Sequence, residues 1–427
     1  MNASDIKARV CEEIDRHAEE IIKIGERILA KPEMGYREFE TSAVAKEVFD
    51  KLNIPYRDKL AITGVKANLK GRESRARVAV IGEMDAVTCS THPTADPVSG
   101  AAHACGHNAQ MAAMLGAAFG LSAVAGELDG DVCFFAVPAE EFVEIGFRSK
   151  LRDRGDVQFF GGKQELIRIG EFDDIDMAMM VHAQGNCPEN AVHLDGGGIG
   201  FVAKTVDFIG KAAHAGGAPH EGINALNAAM AAMMCIHAQR ETFRDEDKIR
   251  VHPIITNGGE LVNVVPSLVT METYVRGATS NAIKDASSKV DRAIEGACFA
   301  IGARCDIKNF KGYLPLVQSK EMSLLFEKNA KILPGGPEVR RGVDMTGSTD
   351  IGDLGHIMPI IQPTVGGFVG NLHAIEFSVD EKIRAYVQPA KLMAMTVVDL
   401  LMDGAAEALK IKDSFVPLMS KEEYLAF

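Results

Sequence analysis

The chain has 427 residues, enough for two domains or one elaborated one, and its 47% apolar and 25% charged residues are those of an ordinary globular protein. With 46 basic against 59 acidic side chains the formal net charge is −13, which argues against nucleic acid or an anionic membrane surface as the main partner. No apolar run reaches the roughly 20 residues of a membrane span. The charged N-terminal segment lacks the apolar core of a signal peptide, and the eight scattered cysteines form no Cys-x-x-Cys pair, so reduced thiols and a cytoplasmic location are expected.

Asp5 to Leu29 reads as one long helix, with Ile14, His17, Ile21 and Ile24 recurring near helical spacing. Pro32-Glu33-Met34-Gly35-Tyr36 ends it, and a second helix is predicted over Glu38 to Leu52. Two strands follow, Gly64 to Leu69 and Arg77 to Ile81, the second leading into Gly82-Glu83-Met84-Asp85-Ala86. Then comes His103-Ala104-Cys105-Gly106-His107-Asn108, where Gly106 lets the backbone bend so that a thiol and an imidazole face one point. The small apolar residues Ala109 to Leu121 predict a helix packed tightly on a sheet. The strand Val132 to Val137 ends in Pro138-Ala139-Glu140-Glu141. After a charged stretch and a helix over Lys163 to Gly170, the strand Met177 to Val181 ends at His182.

This alternation predicts an α/β fold with a mostly parallel sheet covered by helices on both faces. In such sheets ligands bind at the carboxyl ends of the strands. Asp85, Glu140, Glu141 and His182 each follow a strand's last apolar residue, and Cys105 and His107 lie in a strand-to-helix loop. Taken singly, a Cys-x-His, a glutamate pair or a lone histidine has an ordinary structural reading as a buried thiol, a solvated turn or a cap. Their convergence on one sheet edge points instead to a metal site. His193, His220, His237 and His252 lack such company and are read as ordinary histidines.

Glycines at Asp195 to Gly200 mark a domain boundary. Beyond it come a strand over Ala203 to Phe208, a helix opened by Pro219-His220-Glu221-Gly222-Ile223-Asn224 and running to Ile236, and strands near Ile249 to Ile255 and Ser267 to Arg276. A helix over Asn281 to Ala303 and a strand to Phe310 complete a ferredoxin-like order. From Leu316 the helix-strand alternation resumes, carrying Gly347-Ser348-Thr349-Asp350 and Asn371-Leu372-His373-Ala374. The expected organisation is a catalytic domain in two parts, 1–197 and 313–427, around an inserted domain at 198–312.

With these residues in view, the chain resembles the aminoacylase/carboxypeptidase-like metallohydrolases, in the branch that holds hippurate hydrolases, indole-acetyl-amino-acid hydrolases and aminobenzoyl-glutamate hydrolases. The landmarks are Gly-Glu-Met-Asp-Ala at 82–86, His-Ala-Cys-Gly-His at 103–107, Pro-Ala-Glu-Glu at 138–141, Gly-Lys-Ala-Ala-His-Ala at 210–215, Asn-Val-Val-Pro at 263–266 and the late His373. The resemblance implies a metallopeptidase-like catalytic domain with an inserted lid that also joins a homodimer. It implies Cys105, His107, Glu141, His182 and His373 as ligands of one or two divalent ions, zinc or manganese, with Cys105 in the bridging place. It implies Glu140 as the general base, Asp85 as a carboxylate orienting His107, and His214, Asn263 and Arg276 as substrate-binding residues.

The chemistry of these residue types agrees. A carboxylate beside a ligand, but not itself bound, is placed to take a proton from water and hand it to a leaving nitrogen. That requires the backbone to bend between Glu140 and Glu141, and Pro138 favours an irregular turn there. His214 offers a donor to a developing oxyanion, and Arg276 a fork for a substrate carboxylate. Two departures from the hippurate-type pattern stand out. Asn108 and Gln110 replace an Asp and a His, and an amide carries no charge to buffer a two-metal centre. The segment Phe142 to Phe160 is longer than its counterpart and is either pocket wall or surface excursion. The expected activity is metal-dependent hydrolysis of a C–N bond in a small carboxylate-bearing substrate, foremost the amide of an N-acyl or N-aroyl amino acid. The alternatives are hydrolytic deamination of an aromatic amine, of the 5-nitroanthranilate aminohydrolase type, and a non-catalytic metal-binding or scaffold role.

Overall fold

Val132-Cys133-Phe134-Phe135-Ala136-Val137 is an uninterrupted apolar run, and the strand it forms, Asp131–Val137, is buried at every residue. A strand that reads this way lies inside a sheet covered on both faces. The computed structural model, which describes residues 2–342 and 347–426, places it within a six-stranded sheet. The order is Tyr56–Leu60, Gly64–Leu69, Asp131–Val137, Arg77–Glu83, Met177–Met179, Ile360–Ile361. Arg77–Glu83 runs parallel to both its neighbours, and Ile360–Ile361 is parallel to Met177–Met179. The hairpin at the other edge is antiparallel. The fold is therefore α/β with a mostly parallel central sheet, as the strand-helix alternation predicts.

The helix His107–Ser122 is apolar all round and buried from His107 to Leu121, as expected of a helix enclosed by other helices and a sheet. Its small residues set the packing distance: a Cβ on Gly120 would lie 2.8 Å from Ile14 of the N-terminal helix. That N-terminal region departs from the single helix expected over Asp5 to Leu29. It forms two, Ala3–Arg16 and Ala18–Leu29, because His17 leaves helical geometry at φ −100°, ψ 9°. The His17 ring stacks on Phe119 with centroids 4.4 Å apart, which pins the break against the buried helix.

The chain divides into two compact units, Met1–Gly197 with Val317–Asp344 and Asp353–Phe427, and Gly198–Leu316 with Met345–Gly352. The second unit carries an antiparallel sheet in the order Arg250–Val251, Leu268–Gly277, Gly200–Ile209, Arg304–Lys311, with Ile254–Asn257 also paired to Leu268–Gly277. Leu268–Gly277 alternates strictly between more and less buried positions. This is the pattern of a sheet with one packed face, and the helices Ala225–Ala238 and Ser280–Ile301 share a core with it. Strand order and connection make the unit ferredoxin-like. Among the described residues no helix is long and apolar enough to cross a membrane.

Candidate metal centre

At the carboxyl ends of the central strands, Cys105, His107 and His182 bring ligand atoms within 4.8 Å of one another, and so do Cys105, Glu141 and His373. Cys105 belongs to both groups. Its Sγ lies 3.5 Å from His182 Nε2 and 3.3 Å from His373 Nε2, and His373 Nε2 is 3.2 Å from Glu141 Oε1. The sequence-derived ligands thus fall into two half-sites that share one sulfur. Glu140 stands beside them, its Oε2 3.9 Å from His107 Nε2.

Local backbone geometry produces this arrangement. Gly106 sits at φ +81°, and a Cβ there would approach Ala183 Cβ to 2.6 Å, so only glycine fits between Cys105 and His107. His107 then opens the buried helix. Ala139 also takes a left-handed conformation, at φ +52°, which costs about 1–2 kcal/mol for a residue with a Cβ. Its amide donates to Glu38 Oε1 at 2.8 Å, and Glu38 Oε2 accepts from Thr63 Oγ1 at 2.6 Å. The bend follows directly on Pro138 and turns the chain before the two adjacent glutamates. His373, likewise left-handed at φ +63°, is tied by its amide to the Ala104 carbonyl at 2.8 Å.

Hydrogen bonds also select the histidine tautomers. His107 Nδ1 donates to the Asp85 backbone carbonyl at 2.9 Å, and His182 Nδ1 donates to the Ala183 carbonyl at 2.9 Å. Each leaves Nε2 as the atom facing the cluster, the usual arrangement for a metal-binding imidazole. The Asp85 carboxylate does more than orient His107. One oxygen is 3.3 Å from His107 Nδ1, while the other accepts from the Glu141 amide at 2.9 Å. It therefore ties the two half-sites together.

The electrostatics describe an anionic donor set in need of positive charge. Burial alone would raise the Cys105 thiol, but the charges of His182 and His107 hold it well below its ordinary range. Burial would lower His107, yet Glu83 and Cys105 carry it well above. His182 is raised in the same way, burial being outweighed by Cys105. Hydrogen bonds to Cys105 and Glu141 push His373 up to about 11. Burial and the charge of Cys105 push Glu141 up to about 7. His107 Nε2 and Glu141 Oε1 are buried, 3.1 Å from Glu83 Oε2 and 3.2 Å from His373 Nε2 respectively. A divalent ion would satisfy both, and a mixed thiolate, imidazole and carboxylate set suits such an ion.

The second unit holds the other three sequence-derived residues. His214 Nδ1 accepts from the amides of Gly216 and Gly217, at 3.2 and 2.8 Å, so its exposed ring carries the proton on Nε2. The Asn263 carbonyl accepts from the Ala215 amide at 2.9 Å, which joins the loops of His214 and Asn263. Arg276 lies over the rings of Phe201 and Tyr274, donates to Ser348 Oγ at 2.7 Å, and borders a cavity of about 400 Å³.

Residues 79–399 match the profile of Peptidase family M20/M25/M40, three quarters of the chain. The chain belongs to this family. The mouse (Mus musculus) Xaa-Arg dipeptidase is 28% identical over 443 residues, spanning 95% of this chain and 93% of that protein. A dinuclear metal-binding M20 peptidase from Bacillus subtilis shares the fold with a TM-score of 0.69 at 21% identity, over 91% of this chain and 99% of that one. The aminobenzoyl-glutamate utilization protein of Klebsiella pneumoniae does so with a TM-score of 0.68 at 19% identity, over 91% and 97%. This M20 protein is accordingly a metal-binding hydrolase of carbon–nitrogen bonds, which sets aside the non-catalytic reading.

Buried charged residues outside the sequence-derived set also stand at or near the cluster. Glu83 lies 3.1 Å from His107 Nε2 and forms a third potential ligand group with His107 and Glu140. It closes the strand Arg77–Glu83, two residues before Asp85. Glu38 braces the bend before Glu140, and burial followed by the charge of Asp85 pushes its carboxyl up to about 7. The Phe142 to Phe160 segment contains a helix, Ile145–Asp153, whose buried Arg148 donates to the carbonyls of Glu141 and Phe160. Arg148 thus fastens this segment to the chain at Glu141 and Phe160. Asn108 lies in the first turn of the buried helix His107–Ser122. Its amide donates to the Gly25 carbonyl and the Tyr386 hydroxyl, at 3.3 and 3.2 Å, so it joins packed helices and leaves the charge of the centre to others.

Proposed function

We propose that this M20 hydrolase is an amidohydrolase of N-acyl or N-aroyl amino acids, with Cys105, His107, Glu141, His182 and His373 holding one or two divalent ions, zinc or manganese. The observation that carries the reading is the place of Glu140, next in sequence to Glu141, set off by the bend at Ala139, and 3.9 Å from His107 Nε2. A divalent ion held by these residues would supply an acidified water and polarise the scissile carbonyl. Glu140 is placed to take a proton from water and deliver it to the leaving amide nitrogen. Asp85 holds His107 and the Glu141 amide in place while this happens. His214 presents its Nε2–H to the developing oxyanion, and Arg276 with Asn263 takes the carboxylate end of the substrate. Relatives named for a dipeptide and for aminobenzoyl-glutamate support a leaving group that is an amino acid. The active form in this reading is a cytoplasmic homodimer joined through the inserted unit.

The deciding experiment gives metal-replete protein a panel of N-aroyl amino acids and substituted anthranilates and identifies both products by mass spectrometry. An aromatic acid with a free amino acid supports the amidohydrolase. Ammonia with a ring hydroxyl replaces it by an aromatic aminohydrolase, and no turnover of either set overturns both.

A further inference from the structure

Behind the Cys105, His107 and His182 half-site lies an enclosed ion pair to which the mechanism above gives no part. The side chains of Lys163 and Glu83 are wholly buried, with Lys163 Nζ 2.5 Å from Glu83 Oε1. The other carboxylate oxygen, Oε2, accepts from Gln110 Nε2 at 2.9 Å and lies 3.1 Å from His107 Nε2. Gln110 follows His107 by three positions on the same helix, so both side chains reach Glu83 from one helical face. A buried pair of charges is seldom the most stable filling for a core, since apolar residues of like volume avoid its desolvation cost. Its presence here calls for a role, and the geometry supplies one.

We propose that Lys163 and Gln110 brace Glu83 as a positioning carboxylate of the metal centre, its Oε2 aimed at His107 Nε2 and at the cation that the imidazole would hold. Glu83 ends the strand Arg77–Glu83 and Asp85 stands two residues further on. One strand end therefore grips the His107 ring from both sides, Asp85 at Nδ1 and Glu83 at Nε2. Glu83, His107 and Glu140 offer ligand atoms within 4.8 Å of one another, so Glu83 faces the same space as the proposed base. Another carboxylate beside Cys105, Glu140 and Glu141 would be repelled without a fixed positive charge, and Lys163 provides that charge from the side away from His107. The assignment rests on the metal-hydrolase reading, and its test is made to fail separately from it.

The test is cobalt(II) binding by the full chain, measured by chelator competition and by the visible absorption of the cobalt–thiolate centre, with no substrate present. Glu83→Gln keeps the shape of the side chain and is expected to weaken cobalt binding by about tenfold or more and to shift the absorption bands. Lys163→Met is expected to do the same, and the double variant to be no weaker than Glu83→Gln alone, because lysine acts through the carboxylate. Lys163→Arg, which restores the charge, is expected to recover binding. Wild-type affinity and spectrum in a folded Glu83→Gln protein overturn the proposal. So does a Lys163→Met effect that persists undiminished in the Glu83→Gln background. Should Lys163→Met not fold, the Glu83→Gln result decides alone. A wild-type chain that binds no cobalt fails at the earlier step and removes the metal-hydrolase reading itself.

Discussion

Cys105 is the one side chain common to both half-sites, so its loss is felt on both sides at once. Cys105→Ala is expected to weaken cation binding more than His182→Asn or His373→Asn, measured by chelator competition. Glu140 stands outside the ligand groups that contain Cys105, so Glu140→Gln is expected to keep its metal while turnover falls by about 10²- to 10⁴-fold. Metal content by mass spectrometry alongside the rate separates these outcomes. His373 is held up at about 11, so near neutral pH it carries a proton that a cation must displace. Glu141, pushed up to about 7, adds a second such proton on the acid side. Binding therefore releases protons, and apparent metal affinity is expected to rise with pH, by up to about tenfold per unit for each proton displaced. Titrations at pH 6 and pH 8 in buffers of different ionisation enthalpy check both the sign and the number of protons. A pH-independent affinity would contradict this electrostatic account.

At the scale of elements, what matters is how strand ends and loops are bent and held. Gly106→Ala forces a Cβ into a left-handed position and to 2.6 Å from Ala183, and is expected to cost about 2–4 kcal/mol, read from thermal unfolding. Arg148→Met leaves the Glu141 and Phe160 carbonyls without their donors in a buried place, and about 2–4 kcal/mol is again expected. Glu38 braces the bend at Ala139 with a carboxyl raised to about 7. Because the folded state holds this proton more tightly than the unfolded chain, metal-free protein is expected to lose stability as pH rises from about 4.5 through about 7. Glu38→Gln should flatten that slope in denaturant titrations. These elements also show what the sequence could convey. The strand-end places of Asp85, Glu140, Glu141 and His182 are legible because apolar runs mark where each strand stops. Glu83, Lys163, Glu38 and Arg148 are not, because a charged residue reads as solvated until its partner is known. The partner of Glu83 lies 80 positions away. The break at His17 was hidden likewise, since a stacked ring on Phe119 leaves no trace in local periodicity.

At the scale of the molecule, the chain leaves its first unit at Gly197, builds a second, and returns near Val317. The helix-strand alternation that resumes from Leu316 carries this plan in the sequence, and so does the ferredoxin-like order of the inserted elements. All five sequence-derived metal ligands lie in the first unit, His373 after the return. A cation therefore joins chain segments that are far apart in sequence, and it stabilises the folded unit by mass action, by about 4 kcal/mol at a thousandfold excess over its dissociation constant. Chelation is expected to speed amide hydrogen exchange around Cys105, Glu141, His182 and His373, with the core of the second unit little changed. Equal loosening of both units would contradict this division.

A shared sulfur has one further consequence, in redox chemistry. Burial pushes the thiols of Cys11, Cys133 and Cys298 up, to about 11, 12 and 12, whereas its imidazole neighbours hold Cys105 well below the ordinary range. A thiolate is the form that attacks peroxide, taking one oxygen and releasing hydroxide, and coordination occupies its lone pair. The metal-stripped chain should therefore be oxidised at Cys105 before these other three thiols, and reloading should protect it. Peptide mapping after mild peroxide treatment reads this directly. A single oxygen atom added there would disable both half-sites together, so oxidation of the metal-stripped chain at this one atom is expected to cost it both halves of the centre.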